Sequence, residues 1–138
     1  MKISRREDYG LLLMLSLGEN YGKKLVSLAE VSKEHKISPY FLKHLASALK
    51  KKDLIISREG VRGGYSLSRE PNLVSMGEII EALSGKIINL PCSRKRNICK
   101  MKGSCKSGSF WHGFESQLQS SLSKISLADF INDNSIST

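Results

Sequence analysis

The sequence has few of the features that mark enzymes and membrane proteins. Its main apolar run, residues 11–17, is far too short to span a bilayer, and its start is polar. It contains no internal repeat and no grouping of residues typical of acid–base or nucleophilic catalysis. The glycines of residues 60–64 lack the Gly-Lys-Ser/Thr ending of a phosphate-binding loop. We therefore predict a cytoplasmic protein that is not an enzyme and has no membrane partner.

Cysteine is also scarce, and its placement is unusual. The three cysteines, Cys92, Cys99 and Cys105, all lie in residues 90–108, together with six basic residues and no acidic one. An odd number of cysteines argues against a closed disulfide framework, and their spacing differs from the paired CxxC turns of a zinc ribbon. Thiolates suit iron–sulfur clusters, zinc and copper(I), and positive surroundings would stabilise an anionic centre. The alternative is three free structural thiols.

Acidic residues are few compared with basic ones. The chain has 138 residues, with 13 acidic against 22 basic side chains and a net charge of +9. This length suits one domain. A small basic domain has a polyanion as its first expected partner, although charge alone does not identify it. The arrangement of the basic residues on predicted elements must therefore support that partner.

The N-termini of several helices can be predicted, because a serine repeatedly stands three positions before an acidic residue. This spacing is typical of a capping box, in which hydroxyl and carboxylate satisfy the first-turn N–H groups. It occurs at Ser4/Glu7, Ser27/Glu30, Ser75/Glu78 and Ser126/Asp129. Together with apolar periodicity it predicts helices at 5–17, from 28, at 39–51, 76–83, 110–124 and 127–131. Residues 54–56 and 65–68, on either side of a glycine-rich turn, predict a β-hairpin.

Two short helices followed by a basic hairpin predict a winged helix-turn-helix. The fold class is therefore mainly α with a small β-hairpin and a long C-terminal dimerisation helix. The outer face of the third helix and the hairpin tip are the candidate contacts with double-stranded DNA. The candidates are Ser38, Pro39, Tyr40, Lys43, His44 and Ser47 on the helix, and Arg58, Arg62 and Gly63 on the hairpin. The alternative for Lys43 and His44 is an ordinary solvated helix face.

The predicted helix at 110–124 carries an apolar stripe. Phe110, Trp111, Phe114, Leu118 and Leu122 recur at spacings of three and four, and Ile125 extends the series. Such a stripe is long for a helix that only covers a small domain, so it favours a homodimer. The alternative is a helix packed entirely within its own chain.

Taken along residues 1–133, the chain resembles the IscR/NsrR-type winged-helix regulators, bacterial transcription factors that hold an iron–sulfur cluster. The resemblance rests on the three cysteines and on the segments MKISRREDYG, ISPYFLKHL, REGVRGGYSL, VSMGEII and LSKISLADFI. It implies a cytoplasmic homodimer whose long helices pair across a two-fold axis. It also implies binding to a palindromic operator. We expect a repressor that senses nitric oxide, redox state or iron–sulfur status through the cluster.

The resemblance also implies the cluster ligands. Cys92, Cys99 and Cys105 match the family's three cysteines, although six residues separate the first pair where the best-known members have five. Gly108 occupies the place where the cluster-biogenesis regulators carry a histidine. The nitric-oxide-sensing branch instead uses an aspartate from the partner subunit, and Asp8 matches it. The chain is thus expected to lie nearer that branch, with a 4Fe–4S cluster favoured over 2Fe–2S.

Two other residues remain candidates for the fourth ligand. Glu7 is adjacent to Asp8 but is expected to serve as a capping-box acid, and His112 lies in the aromatic start of the long helix. A first-turn acid favoured by the helix dipole is the structural alternative for Asp8.

The predicted organisation has four segments. Residues 1–85 form the winged helix-turn-helix domain, 86–108 the cluster-binding loop, 109–133 the dimerisation helices and 134–138 a tail. Two other functions stay open. One is a cluster-free winged-helix regulator of cysteine metabolism that is controlled by a partner protein. The other is a zinc-binding structural domain.

Overall fold

The computed structural model describes residues 2–85, 88 and 105–133, so the predictions for Cys92, Cys99 and the tail at 134–138 lie outside the described residues. The described part is mainly helical with one antiparallel hairpin, which confirms the predicted fold class. The elements are α1 (Arg5–Glu19), α2 (Leu28–His35), α3 (Pro39–Lys51), β1 (Ile55–Arg58), β2 (Gly64–Leu67), a 3-10 turn (Pro71–Leu73), α4 (Met76–Ser84), α5 (Lys106–Lys124) and α6 (Leu127–Asn132).

Serine caps the N-terminus of four helices, as the spacing predicted. Ser4, Ser75 and Ser126 form complete capping boxes with Glu7, Glu78 and Asp129. Ser27 accepts the Glu30 N–H at 3.2 Å, but the Glu30 carboxylate bonds Lys24 Nζ at 3.3 Å, and no reciprocal bond completes that box. Each such cap stabilises its helix by about 1 kcal/mol.

Two of the capping acids, Glu78 and Glu7, have lowered pKa values. Burial opposes ionisation of Glu78, but hydrogen bonds from Ser75 and Arg69, together with the arginine's charge, outweigh it and hold its pKa below the ordinary 4.5. At Glu7, burial likewise opposes ionisation, and hydrogen bonds led by those from Ser4 lower the pKa. Both carboxylates therefore stabilise the folded chain most when ionised.

The core fixes the helix-turn-helix against α1 and α4. Leu13 and Met14 of α1 are fully buried with Leu42 and Leu45 of α3, and Ile79 of α4 joins them. At the rim of this core, the rings of Tyr9 and Phe41 meet edge to face with centroids 5.8 Å apart. Because α3 is buried along one face, its opposite face is directed to solvent.

The hairpin is anchored at its base by the segment that precedes α2. Strands β1 and β2 pair from Ile55–Leu67 to Arg58–Gly64. Val26 and Tyr65 exchange two backbone hydrogen bonds of 2.9 and 2.8 Å, so Val26 acts as a one-residue third strand. A methyl group on Gly64 would lie 2.8 Å from the Val26 carbonyl oxygen, which explains the glycine.

Two helix bounds differ from the predictions by more than one residue. Helix α1 continues through Gly18 to Glu19, because Gly18 packs against Ile131 of α6 and does not terminate the helix. Helix α5 begins at Lys106, one turn before Phe110, because Cys105 occupies the N-cap position. The 3-10 turn at Pro71–Leu73 was not predicted.

Helix α5 covers little of the core. None of its residues is buried, although the structure describes all of them, and Leu122 is the one that packs on the core. Phe110 and Trp111 are 62% and 41% exposed. Their rings and that of Phe114 form one aromatic cluster, with centroid distances of 5.1 to 6.3 Å. In the described part of the chain, no helix is long and apolar enough to cross a membrane.

Candidate nucleic-acid interface

Four of the six residues of α3 and its N-cap that were predicted to contact DNA lie side by side on the solvent-directed face of α3. Tyr40, Lys43, His44 and Ser47 are exposed, with Tyr40 at 74%. The rings of Tyr40 and His44, one turn apart, meet edge to face at 4.7 Å. No acidic residue lies in α3. The face therefore offers hydrogen-bonding groups and positive charge, as a helix that enters the major groove requires.

The N-terminus of α3 differs from the serine-capped helices. Ser38 occupies the N-cap position, but its side chain makes no capping hydrogen bond. Pro39 follows at the first helical position, where its missing N–H would be unpaired in any case. Both residues are exposed. The Ser38 hydroxyl and the positive end of the helix dipole thus face solvent beside Tyr40.

The hairpin candidates lie at the wing tip. Arg58 ends β1, and Arg62 and Gly63 lie in the turn, which is closed by a 3.0 Å hydrogen bond from the Gly63 N–H to the Gly60 carbonyl. Arg58 and Arg62 are exposed, as is Val61 between the glycines. A basic tip on a narrow two-stranded element can follow a neighbouring groove of DNA.

A contact that the sequence did not indicate joins the wing to α3. Lys50 Nζ donates to the Ser57 hydroxyl at 2.6 Å, across from the last turn of α3 to β1. This bond fixes the wing relative to the exposed face of α3. Lys50 and Ser57 are seven residues apart and lie on different elements, so no periodic pattern in the sequence pairs them. The bond depends on the geometry of the turn between α3 and β1, which the structure supplies.

Of the predicted metal ligands, the structure describes Cys105 and Asp8. The half-buried Cys105 caps α5, and its Sγ accepts the Gly108 N–H at 3.3 Å. Asp8 is exposed in the first turn of α1, and among the described residues no side-chain hydrogen bond or ion pair engages its carboxylate. Glu7, in contrast, is engaged by Ser4. His112 is exposed on α5. The described residues contain no group of three metal-ligating side chains, and Cys92 and Cys99 lie outside them.

Three basic residues that lie beside the α3 face, Lys51, Lys52 and Arg6, are not among the DNA-binding candidates predicted from the sequence. The structure brings them to one recess with His44 and Ser47. The spacing from His44 through Ser47 to Lys51 was a usable signal, because these positions share one side of a helix. Arg6 had none.

An exposed basic helix of a helix-turn-helix, anchored to a basic wing, defines a winged-helix DNA-binding protein. A family model matches residues 3–133, that of the Rrf2 family, described as an iron-dependent transcriptional regulator. The match covers nearly the whole chain. The chain therefore belongs to the Rrf2 family, and it is a DNA-binding transcriptional regulator.

Curated relatives and solved structures agree with this assignment. The regulator CymR of Bacillus subtilis is 37% identical over 87 residues, which are 63% of each chain. The regulator IscR of Sodalis glossinidius is 29% identical over 136 residues, which cover 99% of this chain and 82% of the relative. These proteins are named as transcriptional regulators and not as enzymes.

The solved structures are similar over almost the full length. CymR, described as the global cysteine regulator of B. subtilis, has a TM-score of 0.76 at 25% identity and covers 97% of this chain and 98% of its own. IscR of T. potens has a TM-score of 0.75 at 28% identity, with 96% and 88% covered. The position nearer the nitric-oxide-sensing branch stays a prediction.

Proposed function

We propose that this regulator is a homodimeric repressor whose DNA binding depends on an iron–sulfur cluster held by Cys92, Cys99, Cys105 and Asp8. The proposal of DNA binding rests on the exposed face of α3, where Lys43, His44 and Ser47 project beside the wing. The metal part is supported by the family's description as iron-dependent and by the implied ligand set.

The environment of Cys105 fits a thiolate ligand. Its sulfur sits at the N-terminus of α5, where backbone N–H groups and the helix dipole favour negative charge. The Gly108 N–H already donates to that sulfur. A metal centre there would supply a redox- and ligand-sensitive anionic group, and the cap would hold one of its protein ligands in place.

The carboxylate of Asp8 fits the fourth position better than that of Glu7. Glu7 is engaged in a capping box that also holds its pKa low, so recruiting it would uncap α1. Asp8 lies one residue further on, exposed and without a side-chain partner among the described residues. A carboxylate held in this way can be displaced at little cost to the fold, which suits a sensor.

The dimer is supported by the surface of α5. A helix of 19 residues with no buried side chain gains little from its own chain. The aromatic cluster Phe110, Trp111 and Phe114 is an apolar surface that pairing with a second copy would remove from water.

Anaerobic purification tests the cluster. We expect brown protein with iron and acid-labile sulfide, and an absorption spectrum that nitric oxide changes. Cys99→Ser should abolish the iron. Cys105→Ser should do the same while keeping α5 capped, because serine is itself a favoured N-cap residue. Folded, colourless wild-type protein without iron would reject the cluster. One tightly held zinc without visible absorption would instead support the zinc-binding alternative.

DNA binding by α3 is tested with Lys43→Ala. Lys43 is exposed and makes no ion pair among the described residues, so its loss should leave stability unchanged and weaken binding to a selected operator by about tenfold. The operator is selected with the wild-type protein from random duplexes. Lys124→Ala is the control, since Lys124 is exposed at the far end of α5. Equal affinities for wild type and Lys43→Ala would remove Lys43 from the interface.

The second candidate is a cluster-free regulator of cysteine metabolism controlled by a partner protein. It is favoured by the 37% identity with CymR, whose structure is described as that of a global cysteine regulator. The two candidates differ in one measurement. A cluster-free regulator would bind its operator equally well with and without iron, and Cys105→Ser would leave that affinity unchanged.

A further inference from the structure

A basic recess lies beside the face of α3 that is proposed to bind DNA. It has a volume of about 370 Å³ and is lined by Arg6 of α1, His44, Ser47 and Lys51 of α3, and the following Lys52. Two alanines complete the lining. None of the described residues that line it is acidic, so they present three permanent positive charges, a histidine and a hydroxyl to one small volume.

A neighbouring cleft provides a comparison. The larger hollow of about 800 Å³ between the N-terminus of α1, α4 and α5 also contains Arg6 and Lys52, but Glu81 and Glu115 line it as well. Lys52 further borders a small hollow that contains Glu78 and Glu81. Lys52 and Arg6 thus also border surfaces that carry glutamates, whereas among the described residues no acidic side chain lines the recess itself. The recess is the more anion-selective of these surfaces.

Arg6 is held in the recess by a contact with a different element. Its Nε donates to the carbonyl of Leu83 in the last turn of α4, a helix that has no basic residue of its own in that turn. The guanidinium has further N–H donors in a planar fork, which suits a phosphate. Arg6 therefore links α1 to the end of α4 and can bind an anion with its remaining donors.

We infer that this recess binds a phosphate group, and that the group is a backbone phosphodiester flanking the major groove entered by α3. His44 and Ser47 belong both to the exposed α3 face and to the recess, so the two surfaces are continuous. The DNA backbone borders the groove on each side of an inserted helix, and contacts to it fix the register of the protein. This inference deepens the proposed function and rests on DNA binding by α3.

The salt dependence of binding tests the recess. Affinity for a fluorescein-labelled duplex of random sequence and for the selected operator is measured by anisotropy over a series of salt concentrations. Lys51→Gln should make the negative slope of log affinity against log salt less steep, and Lys51→Gln with Arg6→Gln should reduce its magnitude by about 0.9 in total, because one phosphate fewer is then neutralised. The loss should be the same on both duplexes. Lys124→Gln, a charge-matched control, should leave the slope unchanged, and thermal midpoints confirm that each variant is folded.

A second arm uses inorganic phosphate, with backbone amide resonances of Ala48 and Lys51 followed by NMR at constant ionic strength. An unchanged slope in Lys51→Gln, together with saturable phosphate shifts at these amides, would assign the recess to a free anion and overturn the backbone assignment. An unchanged slope without such shifts would overturn the phosphate site altogether. If the wild type binds no duplex, the proposal that α3 binds DNA is wrong. The phosphate titration then still decides whether the recess binds an anion.

Discussion

Replacing Gly64 with alanine should detach the wing from the rest of the domain. Gly64 has a φ of +157°, and its added methyl would lie 2.8 Å from the Val26 carbonyl oxygen and 2.9 Å from the carbonyl carbon. These are backbone atoms, so they cannot move aside by changing a rotamer. Relief of the clash requires the Val26–Tyr65 hydrogen bonds of 2.9 and 2.8 Å to lengthen or break.

The magnitude follows from these contacts. The unfavourable backbone conformation contributes about 1–2 kcal/mol, and weakening two hydrogen bonds about 1 kcal/mol each. We therefore expect a loss of about 3 kcal/mol in the free energy of unfolding, which for a chain of this size lowers the melting temperature by about 10 °C. Affinity for duplex DNA should fall further than the folded fraction does, because Arg58 and Arg62 lose their position.

Gly22→Ala is the matched control. Gly22 also has a positive φ, +77°, but in the part of the chain that the structure describes no atom lies within 4 Å of an added methyl group. It should lose only about 1 kcal/mol and keep its DNA affinity. Urea unfolding and anisotropy titration of both variants give the comparison. A stability of Gly64→Ala within about 0.5 kcal/mol of that of Gly22→Ala would refute the steric argument.

Two further predictions concern stability and assembly. Because the pKa of Glu78 is lowered in the folded state, the stabilisation by its carboxylate is complete above pH 4.5 and is lost as the pH falls through the folded-state pKa. The free energy of unfolding, measured with urea, should therefore decline less between pH 5 and 3 in Glu78→Gln than in the wild type. An identical decline in both proteins would contradict this prediction. Phe110→Asp should weaken a dimer formed through α5 by at least about tenfold, since burying an exposed aromatic ring is worth roughly 2 kcal/mol. Sedimentation velocity measures this, with Leu73→Asp, at a comparably exposed site (60%), as control; dimers of equal strength would exclude Phe110 from the interface.

Local rules account for most of the correct element predictions. The serine caps and the apolar periods of α1, α3 and α4 depend on residues within one or two turns, so a linear pattern contains them. The same holds for the face of α3, because the burial of Leu42 and Leu45 leaves Lys43 and His44 exposed. At the end of α1 the predicted bound was wrong because a distant residue, Ile131, packs on Gly18. At the start of α5 it was wrong because the N-cap is Cys105 and not one of the serine–acid pairs.

The candidate site was predictable only in part for the same reason. The resemblance supplied Asp8 and the three cysteines as ligands, and the helix period supplied the α3 face. Neither could indicate that Arg6 bonds to Leu83, 77 positions away, and that Arg6 lies beside Lys51 in one recess.

The sequence by itself therefore determined the class of protein, a basic winged-helix regulator with a cysteine-rich segment, because caps, periodicity, charge and motif spacing act over short distances along the chain. The tertiary structure decided which surfaces those residues share. In the folded chain, Val26 and Lys50 hold the wing in place, and Gly18 packs against Ile131. The basic recess forms where α1 meets α3. Such groupings arise when the core brings distant helices together, and no local pattern records that.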